Sequence, residues 1–141
     1  MKLLLLLLLA LTGISQTTRA DTIDYWHVYY NKIKIKECND YNIRDIIIKT
    51  DKVKSGDVIT VYYFRDTPGS EAITNLSIED GKHHVVFASK GKGTGNPISF
   101  SLKDLLAYKQ KSGGNDFEIF YFYNAIGNIA DPKLLFRIKF K

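Results

Sequence analysis

From Val58 to Phe64 the chain is apolar on both sides of a period-two pattern, with Val58, Thr60, Tyr62 and Phe64 on one face and Ile59, Val61 and Tyr63 on the other. Successive side chains of a strand point to opposite faces, so this segment predicts a central strand that needs cover on both sides. Its residues are β-branched or aromatic, and Lys54-Ser55-Gly56-Asp57 and Asp66-Thr67-Pro68-Gly69-Ser70 bound it with turn chemistry. Upstream the apolar phase is even at Trp26, Val28 and Tyr30, then odd at Ile33 and Ile35, so the alternation slips by one near Asn31-Lys32. The slip predicts two short strands joined by a tight hairpin or bulge, with Asn supplying the left-handed residue of the turn. A loop over Cys38–Asn42 follows, and Ile46-Ile47-Ile48 reads as a buried strand.

Downstream, Thr74, Leu76 and Ile78 share one face of a one-sided strand, and Asp80-Gly81 predicts a hairpin from which His83 to Ser89 returns antiparallel. Lys90 to Pro97 reads as a flexible Gly-rich loop, and Ile98 and Phe100 as a short strand beyond it. Ser101 and Asp104 are spaced as N-cap and N3, Phe100 and Leu105 as a hydrophobic staple, and Ser112-Gly113-Gly114 as a stop. They predict one short connecting helix near residues 101–112. Asp116 to Tyr123 reads as a second central aromatic strand. The last strand, Lys133 to Lys141, alternates Leu134, Phe136, Ile138 and Phe140 inward with Leu135, Arg137, Lys139 and Lys141 outward.

About eight short strands with turn signals roughly every ten residues predict an all-β fold, an antiparallel β-sandwich. In this rhythm residues 21–141 resemble an immunoglobulin-like or related β-sandwich. The chain departs from antibody domains in having the single cysteine Cys38, with Trp26 before it, in place of a Cys…Trp…Cys pattern.

The first residues change the picture from fold to destination. Met1-Lys2 precedes the apolar run Leu3–Leu11, too short to cross a bilayer as a helix, and Thr18-Arg19-Ala20 places small residues where a signal peptidase needs them. Residues 1–20 are therefore expected to be a cleaved signal peptide, with Gln16 the alternative cleavage point, and 21–141 a single domain. With no cysteine near either point to carry a lipid, the chain is expected to be secreted or periplasmic, without a transmembrane segment after cleavage. Export permits disulfides, yet Cys38 has no partner within the chain for one, so it stays an inert, partly buried thiol or pairs between chains. Without Lys2 and Arg19, 18 basic side chains face 15 acidic ones, a net of +3 against +5 for the whole sequence. Lysines at 32, 34 and 36 alternate as on a solvated or guarded strand, and a nucleic-acid partner is not implied.

Candidate chemistry is sparse. Gly91-Lys92-Gly93-Thr94-Gly95 lacks the endings of a P-loop or a dinucleotide turn and sits between strands. His83 and His84 are adjacent, so on a strand they point apart, and His27 is distant in sequence. No nucleophile elbow or metalloprotease helix is present, so no catalytic residue, metal ligand or cofactor is assigned. The aromatic cluster Tyr25, Trp26, Tyr29 and Tyr30 is more suggestive: on alternating faces about half its rings pack inward and half stay exposed for stacking. The expected function is an exported, non-catalytic module for a protein or glycan partner, with Trp26, Tyr29, Tyr30, Lys90 and Lys92 as binding residues. The alternative is a small secreted hydrolase or metal-binding protein using the scattered histidines. A third reading is a subunit whose exposed strand edge is completed by a neighbour.

Overall fold

The computed structural model describes residues 23–42, 45–66, 73–125, 128–129 and 131–141. The expected signal peptide 1–20 lies outside them. Ten strands are present among the described residues: β1 (Tyr25–Tyr30), β2 (Ile33–Asn39), β3 (Asp45–Ile48), β4 (Val58–Phe64), β5 (Ile73–Asp80), β6 (Val85–Lys92), β7 (Pro97–Ser101), β8 (Asp116–Ala125), β9 (Asn128–Ile129) and β10 (Lys133–Phe140). Helix α1 (Leu102–Ser112) joins β7 to β8. The strands form two sheets and no barrel: a first sheet in the order β2-β1-β4-β7 and a second in the order β3-β10-β8-β5-β6, with β9 paired to β8.

One hydrophobic core joins the sheets. Trp26, Val28, Ile59, Val61 and Ile98 enter it from the first and Leu76, Ile78, Phe117, Ile119 and Ile138 from the second, all at most 3% exposed. Each such side chain contributes about 2 kcal/mol relative to leaving it in water. β4 is central within its sheet, as its composition predicts, but only its Ile59, Val61 and Tyr63 face the core. Among the described residues no second layer covers the other face, and its rings cover one another.

The hairpin between β1 and β2 is tight, with Asn31 at φ 53°. Its side-chain oxygen accepts from the Val58 N–H at 3.0 Å and its amide donates to Asp57 at 3.1 Å, so the turn is tied to the start of β4. Helix α1 starts as its spacing predicts: the Ser101 hydroxyl accepts from the Asp104 N–H at 3.2 Å, and Gly113 closes the helix at φ 74°.

Four expectations are corrected. β3 runs parallel to β10, so the fold is not wholly antiparallel. In β10 the register shifts between Leu134 and Phe136, and the extra residue turns Leu135 into the core at 0% exposure while Leu134 pairs with Phe120 on the outer face. The return strand β6 begins at Val85 and runs through Lys90 and Lys92, so the loop before β7 is shorter than the glycines suggest. Gly91 is in that strand because a Cβ there would stand 2.6 Å from the Ile98 side chain and 2.9 Å from Thr74. Finally, His83 does not open the return strand: it is the left-handed residue of the turn after β5, at φ 63°.

That turn is organised by Asp80. Its carboxylate accepts from the Lys82 N–H at 2.9 Å, the His84 N–H at 3.0 Å and the Tyr108 hydroxyl of α1 at 2.8 Å. The His84 N–H foremost, then the Tyr108 hydroxyl and the Lys82 N–H, overcome the cost of desolvation and hold the Asp80 pKa down to about 2. A folded pKa below the unfolded one gives stability that is present above about pH 4 and lost as pH falls toward about 2. Asp80→Asn should therefore lower the melting temperature at neutral pH and flatten its acid decline across that window. An unchanged acid limb would show that Asp80 does not set it.

Candidate functional site

The register of β1 on β4 builds an aromatic face. Tyr25 pairs with Phe64, His27 with Tyr62 and Tyr29 with Thr60, and all six side chains lie on the side of the first sheet away from the core. Tyr25 and Phe64 stack with centroids 4.7 Å apart and planes at 13°. The His27 ring sits 5.5 Å from Tyr25 and 5.3 Å from Phe64, and Tyr29 meets Tyr62 edge-on at 5.2 Å. Four of the five rings are half-buried by one another, and Tyr25 is exposed at 42%. Polar groups border the strip: Glu37 lies 3.4 Å from His27 and 3.0 Å from Lys34, and Thr60 and Ser99 share a hydroxyl hydrogen bond of 2.8 Å. Lys34 and its hydrogen bond lower the pKa of Glu37, keeping a carboxylate beside the rings.

Next along the chain from Tyr25 and Phe64, Asp24 and Arg65 belong to a polar cleft of about 430 Å³, floored by Tyr63 and Tyr121. Asp24 accepts from the Tyr63 hydroxyl at 2.5 Å, the Asp66 N–H at 2.9 Å and Lys133 at 3.1 Å. Burial acts to raise the Asp24 pKa, but these donors together leave it below the usual carboxylate range. Burial, then the Asp24 charge, hold the Tyr63 hydroxyl well above its ordinary pKa. Lys133 also reaches Asp40 at 2.9 Å, and the Arg65 guanidinium lies over the Tyr123 ring at 3.7 Å. Burial pushes the Tyr121 pKa up to about 12, and among the described residues its hydroxyl has no hydrogen-bond partner. Charged and hydroxyl groups of both hydrogen-bonding senses thus meet at one end of the aromatic strip.

The five residues expected to bind are not brought together. Tyr29 lies in the strip. Trp26 is wholly buried and stacks on Tyr63 at 5.7 Å, so its indole is a core group with no surface to offer a ligand. Tyr30 takes the inward phase and donates its hydroxyl to Asp57. Lys90 and Lys92 are exposed on edge strand β6 of the other sheet. Tyr25, His27, Tyr62 and Phe64 complete the strip; the signal that finds them is the odd phase of β1 matched with the even phase of β4. The histidines are scattered, with His83 and His84 exposed in the turn after β5, and among the described residues no three His, Cys, Asp or Glu side chains converge as a metal site. No family model, curated protein or solved structure matches the chain.

The split of the N-terminal aromatics between core and surface is measurable. Trp26→Ala should cost about 3–5 kcal/mol of unfolding free energy. Tyr25→Ala, at a partly exposed position, should cost under about 1 kcal/mol. Denaturant titration of the two variants checks this, and equal losses would contradict the assignment of faces.

Proposed function

We propose that this chain is an exported, non-catalytic β-sandwich that binds a glycan through the outer face of its first sheet. The observation that carries the reading is the strip of Tyr25, His27, Tyr29, Tyr62 and Phe64 on a solvent-facing surface. Sugar rings present flat C–H faces that stack on aromatic rings, and hydroxyl edges that need donors and acceptors. The strip supplies the first, and Glu37, Lys34, Thr60, Ser99 and the adjoining cleft supply the second. The core of a protein-binding face is depleted of charged residues, whereas here Glu37 and Lys34 lie directly beside the rings. With Val58 and Pro97 at its margin, this face is otherwise composed of rings, hydroxyls and charges. Export follows from the apolar leader Leu3–Leu11, which is the support for a secreted or periplasmic destination.

The sandwich reading takes its support from the core shared by the two sheets, and the immunoglobulin-like layout takes its support from strand order. β1, β4 and β7 lie side by side as strands A, B and E of such a domain do; β10, β8, β5 and β6 follow in the order G, F, C, C′. Helix α1 occupies the connection from E to F, and the connections B–C and F–G leave β4 and β8 beside the polar cleft.

Affinity electrophoresis through gels loaded with neutral polysaccharides tests the proposal. At least one polysaccharide should retard the protein, and Tyr25→Ala, Tyr62→Ala and Phe64→Ala should each weaken that retention about tenfold, equivalent to 1.4 kcal/mol, while remaining folded. Retention by no polysaccharide, or retention indifferent to all three substitutions, would sink it; ring-dependent capture of a protein would point to the other class of partner.

A further inference from the structure

We propose that two copies of this chain join edge to edge through β3, pairing Asp45–Lys49 antiparallel about a two-fold axis at Ile47. Besides the two-residue strand β9, four sheet edges are present among the described residues, and three of them carry features that discourage pairing. β2 is lined by Lys34 and Lys36 with Lys32 just before it, β6 by Lys90 and Lys92, and β7 opens on Pro97. β3 has none of these: it is three isoleucines between one acid and one base.

The backbone of that edge is oriented for pairing. Ile48 accepts from the Lys141 N–H at 2.9 Å and the Thr50 N–H donates to the Lys141 carbonyl at 2.8 Å, so residues 48 and 50 face β10. Alternation turns Asp45, Ile47 and Lys49 the other way, outward from the sheet, and Lys49 is itself extended at φ −76°, ψ 121°. In the two-fold arrangement Ile47 meets Ile47 of the second copy as a hydrogen-bonded pair, and Asp45 meets Lys49 twice. The sequence Asp-Ile-Ile-Ile-Lys is therefore complementary to itself read backwards, in charge as well as in bulk. Ile47, 56% exposed as a monomer, becomes covered. Ile46 and Ile48 continue the inward phase beside a hollow of about 700 Å³ that opens between β3 and β2 and is lined by Ile35, Ile47 and Ile48. Asp45 keeps its ion pair with Lys139 at 2.6 Å, and Lys49, which has no ion pair among the described residues, gains a carboxylate.

Light scattering over a dilution series should give twice the chain mass, falling to the single mass for Ile47→Lys with an unchanged circular dichroism spectrum. Lys49→Asp, which sets like charges opposite each other at both ends, should raise the dissociation constant about tenfold. Hydrogen-bonded antiparallel partners have Cα atoms about 5.5 Å apart, within disulfide reach, so Ile47→Cys should give a covalent dimer under mild oxidation. Ile33→Cys, on the lysine-guarded β2 edge and 71% exposed, should not. A single-chain mass at every concentration overturns the proposal. So does a dimer that ignores Ile47→Lys and is not linked by Ile47→Cys. Neither result bears on the aromatic face of the first sheet.

Discussion

The stacking of Trp26, Tyr63 and Tyr121 through the centre of the molecule is the constraint on which the rest depends. Trp26 and Tyr63 are register partners on β1 and β4, and Tyr63 lies on Tyr121 of the opposite sheet at 3.9 Å and 14°. Three large rings in contact across both layers leave little freedom in how β1 lies on β4, because a one-residue slip would turn Trp26 to water and Tyr25 to the core. The same register therefore decides the interior and the exterior together. Once Trp26 and Tyr63 are inside, Tyr25, His27, Tyr62 and Phe64 must be outside.

The polar cleft depends on the same contact. Tyr63 delivers its hydroxyl to Asp24, and Asp24 gathers Lys133 and the Asp66 N–H around it, so the floor of the cleft is the outer end of the stack. Lys133 adds Asp40, beyond the end of β2, to the group. Residues far apart in sequence are held by charge-assisted hydrogen bonds that partial burial strengthens. The aromatic strip beside this cluster is likewise fixed, by strand register and by the stacking of its rings.

Much of this was legible in the residues because local chemistry and global fold agree. Ser101, Asp104 and Gly113 mark a helix that forms where they place it, and the phase slip at Asn31 becomes a hairpin with that residue left-handed. What was not legible depends on distant partners. Nothing within Ile46–Ile48 says that its neighbour is β10 and runs parallel, and Leu135 alternates outward until a bulge in contact with β8 turns it in. Lys90–Lys92 reads as a loop because glycine is read as punctuation, whereas Gly91 is there to admit Ile98. The aromatic strip is an intermediate case. Its rings were visible and their division between faces was expected, but alternation alone does not say which half is which, and Trp26, offered as a binding residue, lies in the core.

Gly91 also sets the shape of the molecule. At that margin β6 and β7 approach until only a hydrogen atom fits between a backbone and the Ile98 side chain, while the opposite margin, at β2 and β3, stays open over the hollow beside Ile35 and Ile48. The two layers thus make a wedge, sealed along one seam and gaping along the other. A side chain at residue 91 would therefore have to push the Ile98 side chain aside, opening the sealed seam.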